Sequence, residues 1–255
     1  MKRSFGVLVI AGALCVGASP ASSESFLWDV SHGSTISDYD YFDQYGSFIS
    51  NLMNNGFSVD TTSQGLLVDD PAAYDGIVIS VLTAQSSSYT SEEVTQILNY
   101  VNNGGGLLLM GDNTYSPNPN IDPVAAAFEI TLGVLNIEPD DTYTSDLAEH
   151  PIFYEINEIH VQSAGALFAS HLLVPEIAWQ EGTGLPLIAG GQYGSGFVVA
   201  LGDADVMTNG FYDLADNQQF SINAANYITG QPVPEPSTLA LIALGALGLV
   251  RRRRK

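Results

Sequence analysis

The chain has 255 residues, of which 45% are hydrophobic and 14% charged, and its formal net charge is −21. All seven Lys and Arg residues lie within residues 1–3 and 251–255, so residues 4–250 hold the 28 acidic side chains and no fixed positive charge. Such a segment repels phosphate backbones and lacks the cationic side chains of phosphate sites, which excludes nucleic-acid binding, kinases and NTPases. The length and apolar content suit one sizeable folded domain.

Residues 1–23 have the pattern of a signal peptide. Lys2 and Arg3 precede an apolar run over 5–18, and small residues follow, which predicts cleavage by signal peptidase within 18–23. The alternative, a permanent membrane anchor, is weaker because the run is shorter than the roughly 20 residues of a span. The one cysteine, Cys15, lies inside this run, so the mature chain has no disulfide, thiolate metal site or cysteine nucleophile.

Residues 25–230 predict one α/β domain in which strands alternate with helices. Buried or half-buried strands are predicted over 26–30, 57–61, 74–82, 104–111, 159–161, 176–179, 187–190 and 196–201. Helices are predicted over 39–54, from the Thr90 capping box to 103, over 124–128 and over 218–228. This order predicts a three-layer sandwich with a mostly parallel sheet.

Several motifs of this body resemble the class I glutamine amidotransferase-like fold. The matching pieces are residues 26–33 with Asp-x-x-His-Gly, 74–80, 101–111 with a triple glycine, 150–152, 193–203 and 217–230. The resemblance covers nearly the whole body and implies the same fold. Because one fold hosts many functions, it does not by itself imply an activity.

The resemblance also implies a position for catalysis, just after the strand that ends at Met110. Amidotransferases hold a cysteine there, whereas this chain has Gly111, Asp112 and Asn113. Gly-x-Ser-x-Gly is also absent, so no serine version of that nucleophile turn is visible. The sequence therefore predicts a domain that is no enzyme and needs no cofactor.

Polar side chains follow three of the predicted strands. Asp29 with His32, Asp112, and Asp203 come after strands whose carboxyl ends meet at one edge of a parallel sheet, where ligands bind in such folds. Oxygen and imidazole ligands would suit a divalent cation, and the same edge could take a saccharide or serve a divergent hydrolase. The simpler interpretation is that these side chains begin loops and cap helices.

The last residues, 231–255, contain a Pro-rich spacer, an apolar segment and a basic end. The motif Pro234-Glu235-Pro236 precedes the apolar segment 237–250, which is followed by Arg251 to Lys255. This layout resembles the PEP-CTERM sorting signal, which implies recognition by an exosortase, removal of the tail and delivery to the cell surface or extracellular matrix. The segment 237–250 would anchor the precursor in the membrane before processing. A plain C-terminal anchor explains the helix and arginines but not the Pro-Glu-Pro motif.

Together these features predict an exported surface or matrix protein with a non-catalytic domain. Its expected role is binding or structural and linked to exopolysaccharide or biofilm, and its expected partners are signal peptidase, an exosortase and exopolysaccharide.

Overall fold

The computed structural model describes residues 24–33 and 41–231. The predicted signal peptide (1–23) and the sorting signal from 232 onward lie outside these residues, as does the predicted anchoring segment 237–250. In the part of the chain that the structure describes, no helix is long and apolar enough to cross a membrane.

The domain contains twelve strands and four α-helices in the described ranges. The strands are β1 (Ser25–Asp29), β2 (Ser58–Thr62), β3 (Gly76–Ser80), β4 (Gly106–Met110), β5 (Ile130–Thr131), β6 (Asp141–Thr144), β7 (Asp146–Leu147), β8 (Ile159–Gln162), β9 (Phe168–Ala169), β10 (Glu176–Trp179), β11 (Pro186–Tyr193) and β12 (Gly196–Leu201). The helices are α1 (Tyr41–Asn54), α2 (Ser91–Asn102), α3 (Asp122–Ala127) and α4 (Asn217–Ile228).

Eight strands form the central sheet, in the order β2-β1-β3-β4-β12-β11-β10-β7. The first five are mutually parallel, and the last three pair antiparallel at one side. Strands β3 and β4 are buried at every residue, as their continuous apolar sequences predict for strands covered on both faces. The three-layer, mostly parallel α/β fold predicted from the sequence is thus confirmed.

The helices pack in two pairs against this sheet. Helix α1 contacts α4, which lies on β4 and β12, while α2 contacts α3 and also reaches β4 and β12. Helix α2 begins as predicted, because the Thr90 side chain accepts from the Glu93 backbone and the Glu93 carboxylate accepts from the Thr90 backbone.

Two features differ from the sequence-based expectations. The strand predicted over 74–82 is shorter, because Ser80 accepts a hydrogen bond from the Leu82 amide and begins a 3₁₀ turn at Val81–Thr83. The short strands β5, β6, β7 and β9 were not predicted, since they have two to four residues and mostly lack an alternating apolar pattern.

Both ends of the domain lie at the amino-terminal edge of the parallel strands. Glu24 immediately precedes β1, and Gln231 follows α4. The Gln231 Nε2 donates to Glu24 Oε1 at 2.7 Å. Glu24 and Gln231 therefore lie side by side, on the edge opposite the predicted rim.

Candidate functional site

The four predicted rim residues lie at the carboxyl-terminal edge of the sheet but divide into two clusters. Asp29 ends β1, whereas Asp112 follows β4 and Asp203 follows β12. Strand β3 lies between β1 and β4, so the strands that carry Asp29 and Asp203 are three strand spacings, about 14 Å, apart. Asp29 and His32 share one cluster, and Asp112 and Asp203 share the other.

We call Asp29, His32, Ser87, Tyr89 and Glu93 the histidine cluster. The buried Asp29 carboxylate accepts from the Ser31 backbone amide at 2.8 Å and from the Tyr89 hydroxyl at 2.9 Å. The His32 ring stacks on Tyr89 with ring centroids 3.9 Å apart. Burial and the nearby Asp29 charge raise the pKa of Tyr89 well above its usual value, so its hydroxyl stays a donor.

Both nitrogens of the His32 ring have partners. The Nδ1 atom lies 3.0 Å from Ser87 Oγ, and Nε2 lies 3.1 Å from Glu93 Oε1 and 4.0 Å from Asp29 Oδ2. The other Glu93 oxygen accepts from the Thr90 backbone and hydroxyl, each at 2.8 Å. Burial opposes ionisation of Glu93, but these Thr90 hydrogen bonds and His32 outweigh it and lower the pKa of Glu93.

We call Tyr45, Ser80, Asp112, Asp203 and Asp205 the aspartate cluster. Burial raises the pKa of Asp112, against hydrogen bonds from Asn113 and Ser116. Burial and the charges of Asp205 and Asp112 raise the pKa of the fully buried Asp203 well above its usual value. Burial and the Asp112 charge likewise raise the pKa of Asp205 to about 6.

The Asp112 and Asp203 carboxylates also accept hydrogen bonds that stabilise the surrounding loops. Asp112 accepts from the Asn113 amide at 2.7 Å and from Ser116 Oγ at 2.9 Å. Asp203 accepts from the Gln162 amide at 2.7 Å and from the Asp205 amide at 2.8 Å. These are the loop and cap contacts that the simpler interpretation of the sequence expects.

Sequence reasoning missed several members of the two clusters. Ser80 and Tyr45 share a hydrogen bond of 2.6 Å that joins the end of β3 to α1. The partners of His32 are more than fifty residues away in sequence, namely Ser87, Tyr89 and Glu93. The sequence pattern around Glu93 was interpreted only as part of a capping box. The contact of α2 with the end of β1 is a tertiary feature, which local patterns do not report.

The possible cation at the rim stays a prediction. Within residues 24–33 and 41–231, no group of three or more His, Cys, Asp and Glu side chains is arranged to hold a metal ion. After β4, at the position where amidotransferases hold their cysteine, the Gly111 amide donates to the Leu201 carbonyl. The chain then continues into the Asp112 loop.

Several solved structures have a fold similar to that of this domain. The mmIFT52 N-terminal domain is 12% identical with a TM-score of 0.64, over 83% of this chain and 100% of that one. Cytoplasmic protein STM3548 from Salmonella typhimurium is 17% identical with a TM-score of 0.58, over 80% and 98%. A putative ThuA-like protein from Parabacteroides merdae is 13% identical with a TM-score of 0.53, over 83% and 92%. These likenesses concern the fold alone, and the amidotransferase-like, three-layer α/β fold is confirmed.

A search of curated protein sequences found no match. The PEP-CTERM protein-sorting motif matches residues 232–255, which confirms the interpretation of the tail and indicates an exported protein that an exosortase sorts to the cell surface. A second match covers residues 44–225, most of the folded domain. The chain belongs to the family described as a domain of unknown function, DUF4350.

Proposed function

We propose that this protein is displayed at the cell surface or in the extracellular matrix, where its DUF4350 domain binds a neutral exopolysaccharide and is no amidotransferase. The sorting motif at residues 232–255 carries the surface-display part of the proposal, and the pocket described next supports the binding part. The precursor is held in the membrane through 237–250 after signal peptidase has cut, and exosortase then removes the tail. An acidic domain without Lys or Arg favours neutral over anionic glycans.

A pocket of about 400 Å³ at the amino-terminal edge of the sheet supports the binding role. We call it the amide pocket, and its polar lining includes Asp70, Tyr74, Asp75, Gln96, Asn99 and Asn103. Carboxamides both donate and accept, which matches the hydroxyl groups of a sugar.

The amide pocket lies beside the attachment point of the tail. Thr229 lines it, and Gln231 is the last residue before the sorting motif. In the precursor, before the tail is removed, the pocket therefore lies on the side of the domain where the tail is attached, and the rim lies on the opposite side. We propose that binding there needs no metal or other cofactor, because the lining offers amide, hydroxyl and carboxylate groups directly.

The sorting claim is tested by replacing Pro234, Glu235 and Pro236 with alanine in a host that contains an exosortase. Proline keeps the motif extended for a protease cleft, so the triple variant should accumulate as full-length precursor in the membrane fraction. The control is Pro232→Ala, which also removes a proline but keeps Pro234, Glu235 and Pro236, and it should be processed normally. Release of the triple variant at the parental rate would contradict sorting and favour a plain anchor.

The binding claim is tested with Asn99→Ala and with Asn54→Ala as control, since both residues lie on helices but only Asn99 lines the pocket. Retention of the mature protein on exopolysaccharide isolated from the same cells should fall at least tenfold for Asn99→Ala alone. Equal retention of both variants, or loss of binding in a chelator, would refute the pocket proposal.

A further inference from the structure

We propose that Ser87, His32 and Glu93 form a hydrolytic site in which Ser87 is the nucleophile for an uncharged carboxylic ester. This inference goes beyond the proposed function. It places chemistry at the ends of β1 and β3, away from the position after β4 where amidotransferases hold their cysteine. It also departs from the expectation, drawn from the absence of Cys and of Gly-x-Ser-x-Gly, that the domain is no enzyme.

When the His32 imidazole is neutral, its two hydrogen bonds determine which ring nitrogen carries the proton. An ionised Glu93 carboxylate can only accept, and its pKa is lowered, so the 3.1 Å contact requires the proton on His32 Nε2. Nδ1 of a neutral imidazole is then a lone-pair acceptor, and the Ser87 hydroxyl must donate to it across 3.0 Å. This is the proton arrangement that lets an imidazole act as general base towards a serine.

A nucleophile must be accessible to substrate, whereas the residues that position it can be buried, and the three groups have these exposures. His32 and Glu93 are buried, at 6% and 8% exposure, while Ser87 lies in an exposed loop after β3. The imidazole is held on its face by the Tyr89 ring and at its edge by Glu93. Asp29 Oδ2, 4.0 Å from Nε2, adds a second carboxylate that favours the imidazolium formed during reaction.

Glu93 is itself fixed, so it acts as a positioning residue. Its second oxygen accepts two hydrogen bonds from Thr90 in the capping box of α2, which leaves Oε1 directed at His32. A capping box alone would not require the other oxygen to meet a histidine, so the His32 contact is an additional feature.

Two backbone amides are available for a developing oxyanion. In the described part of the chain, the N–H groups of Ser87 and Ser88 have no acceptor, although the amides of Ser86 and Tyr89 on either side are bonded. The amide of the residue after a nucleophile is the usual oxyanion donor in serine hydrolases.

The reaction follows from this geometry. Ser87 Oγ attacks the ester carbonyl carbon as its proton passes to His32 Nδ1, and the C–O bond to the alcohol breaks as that proton moves to the leaving oxygen. Water then attacks the acyl-Ser87 carbonyl, giving its proton to Nδ1, and the acid leaves as Ser87 regains its hydrogen. Uncharged esters are favoured because the domain is strongly acidic.

The test is covalent labelling of the full chain with a fluorophosphonate, in which Ser87 Oγ displaces fluoride from phosphorus. Peptide mass spectrometry should find the label on Ser87 and not on its neighbours Ser86 and Ser88, which serve as internal controls. Ser87→Ala should abolish labelling and hydrolysis of p-nitrophenyl acetate, and Ser91→Ala, at an exposed serine that begins α2, should leave both unchanged. Labelling of the three serines at equal low rates, or hydrolysis by Ser87→Ala, would overturn the proposal.

The supporting residues are tested by variants that preserve the fold. His32→Asn should slow labelling at least about 100-fold, the range of lost general-base catalysis. Glu93→Gln keeps a residue that capping boxes accept, so thermal stability should change little while hydrolysis falls and its pH profile shifts. The groups facing His32 are Asp29, Glu93 and Tyr89, and unchanged rate and pH profile in Glu93→Gln would refute its role. An unreactive Ser87 would leave the sorting and glycan-binding proposals intact.

Discussion

The aspartate cluster predicts that replacing Asp205 with asparagine stabilises the protein at neutral pH. Burial and the neighbouring Asp112 raise the pKa of Asp205 from 3.8 to about 6. A raised folded-state pKa means that the stability linked to this group is complete below pH 3.8 and is lost as the pH rises through about 6. The native state thus carries an unfavourable buried charge at pH 7.5, which the uncharged amide lacks.

The expected magnitude follows from the size of the shift. About two pKa units correspond to about 3 kcal/mol, which is the limit for full ionisation in both states. For a domain of this size, this free energy corresponds to a Tm that is about 6–12 °C higher for Asp205→Asn than for the wild type at pH 7.5. Near pH 3.5 the two Tm values should be the same. Asparagine keeps an oxygen for the Thr208 hydroxyl, which donates to Asp205 Oδ1 at 3.2 Å, so packing is preserved.

The assay is thermal unfolding of the wild type, Asp205→Asn and Asp146→Asn across pH 3.5–8. Asp146 is an exposed acid on β7, and its replacement should change Tm by little at any pH. The Asp205→Asn curve should separate from the wild type only above pH 4 and reach its full difference above pH 7. A variant less stable than wild type at pH 7.5, or equally shifted at pH 3.5, would refute the reasoning about the buried carboxyl.

Two further predictions concern the core and the packing of the strands. Asn217 donates to the His160 and Phe211 carbonyls and accepts from the His160 amide. Asn217→Ala leaves these buried groups without partners, so it should lower the free energy of unfolding in urea by about 2–3 kcal/mol. A loss below about 0.5 kcal/mol would contradict this prediction. A Cβ on Gly196 would lie 2.1 Å from the Gly105 carbonyl oxygen, whereas one on Gly210 meets nothing within 4 Å. Gly196→Ala should therefore lower Tm strongly or prevent folding while Gly210→Ala does not, and equal Tm values would contradict the close approach of β12 to residue 105.

The sequence predicted the parallel half of the sheet because its strands are continuous apolar runs. Residues 76–80 and 106–110 are buried on both faces, and the α-helix between them begins at the Thr90 capping box and ends just before Gly104. The shortest strands were harder to predict. Strands β7 and β9 have two residues each, and their positions depend on β10 and β5, which local patterns do not specify.

The sequence placed the four rim residues at the carboxyl-terminal edge of the sheet, where the structure has them, but it did not separate them into two clusters. Asp29 and His32 were identified from their position after a strand, yet the partners of His32 come from α2 and the loop before it. Ser87 lies in a run of three serines that has no motif of its own. Only the tertiary contact between the loop after β1, which carries His32, and the segment that leads into α2 brings the Ser87 hydroxyl to the imidazole.

The central claim is that this DUF4350 domain reaches the surface through exosortase processing, and the intact mass of the surface protein tests it most directly. In cells with an exosortase, the recovered protein should begin within residues 19–24 and lack the apolar segment and Arg251 to Lys255. In cells without the exosortase, the tail should remain and the protein should stay in the membrane fraction. A surface protein that retains the full tail in both strains would contradict the account.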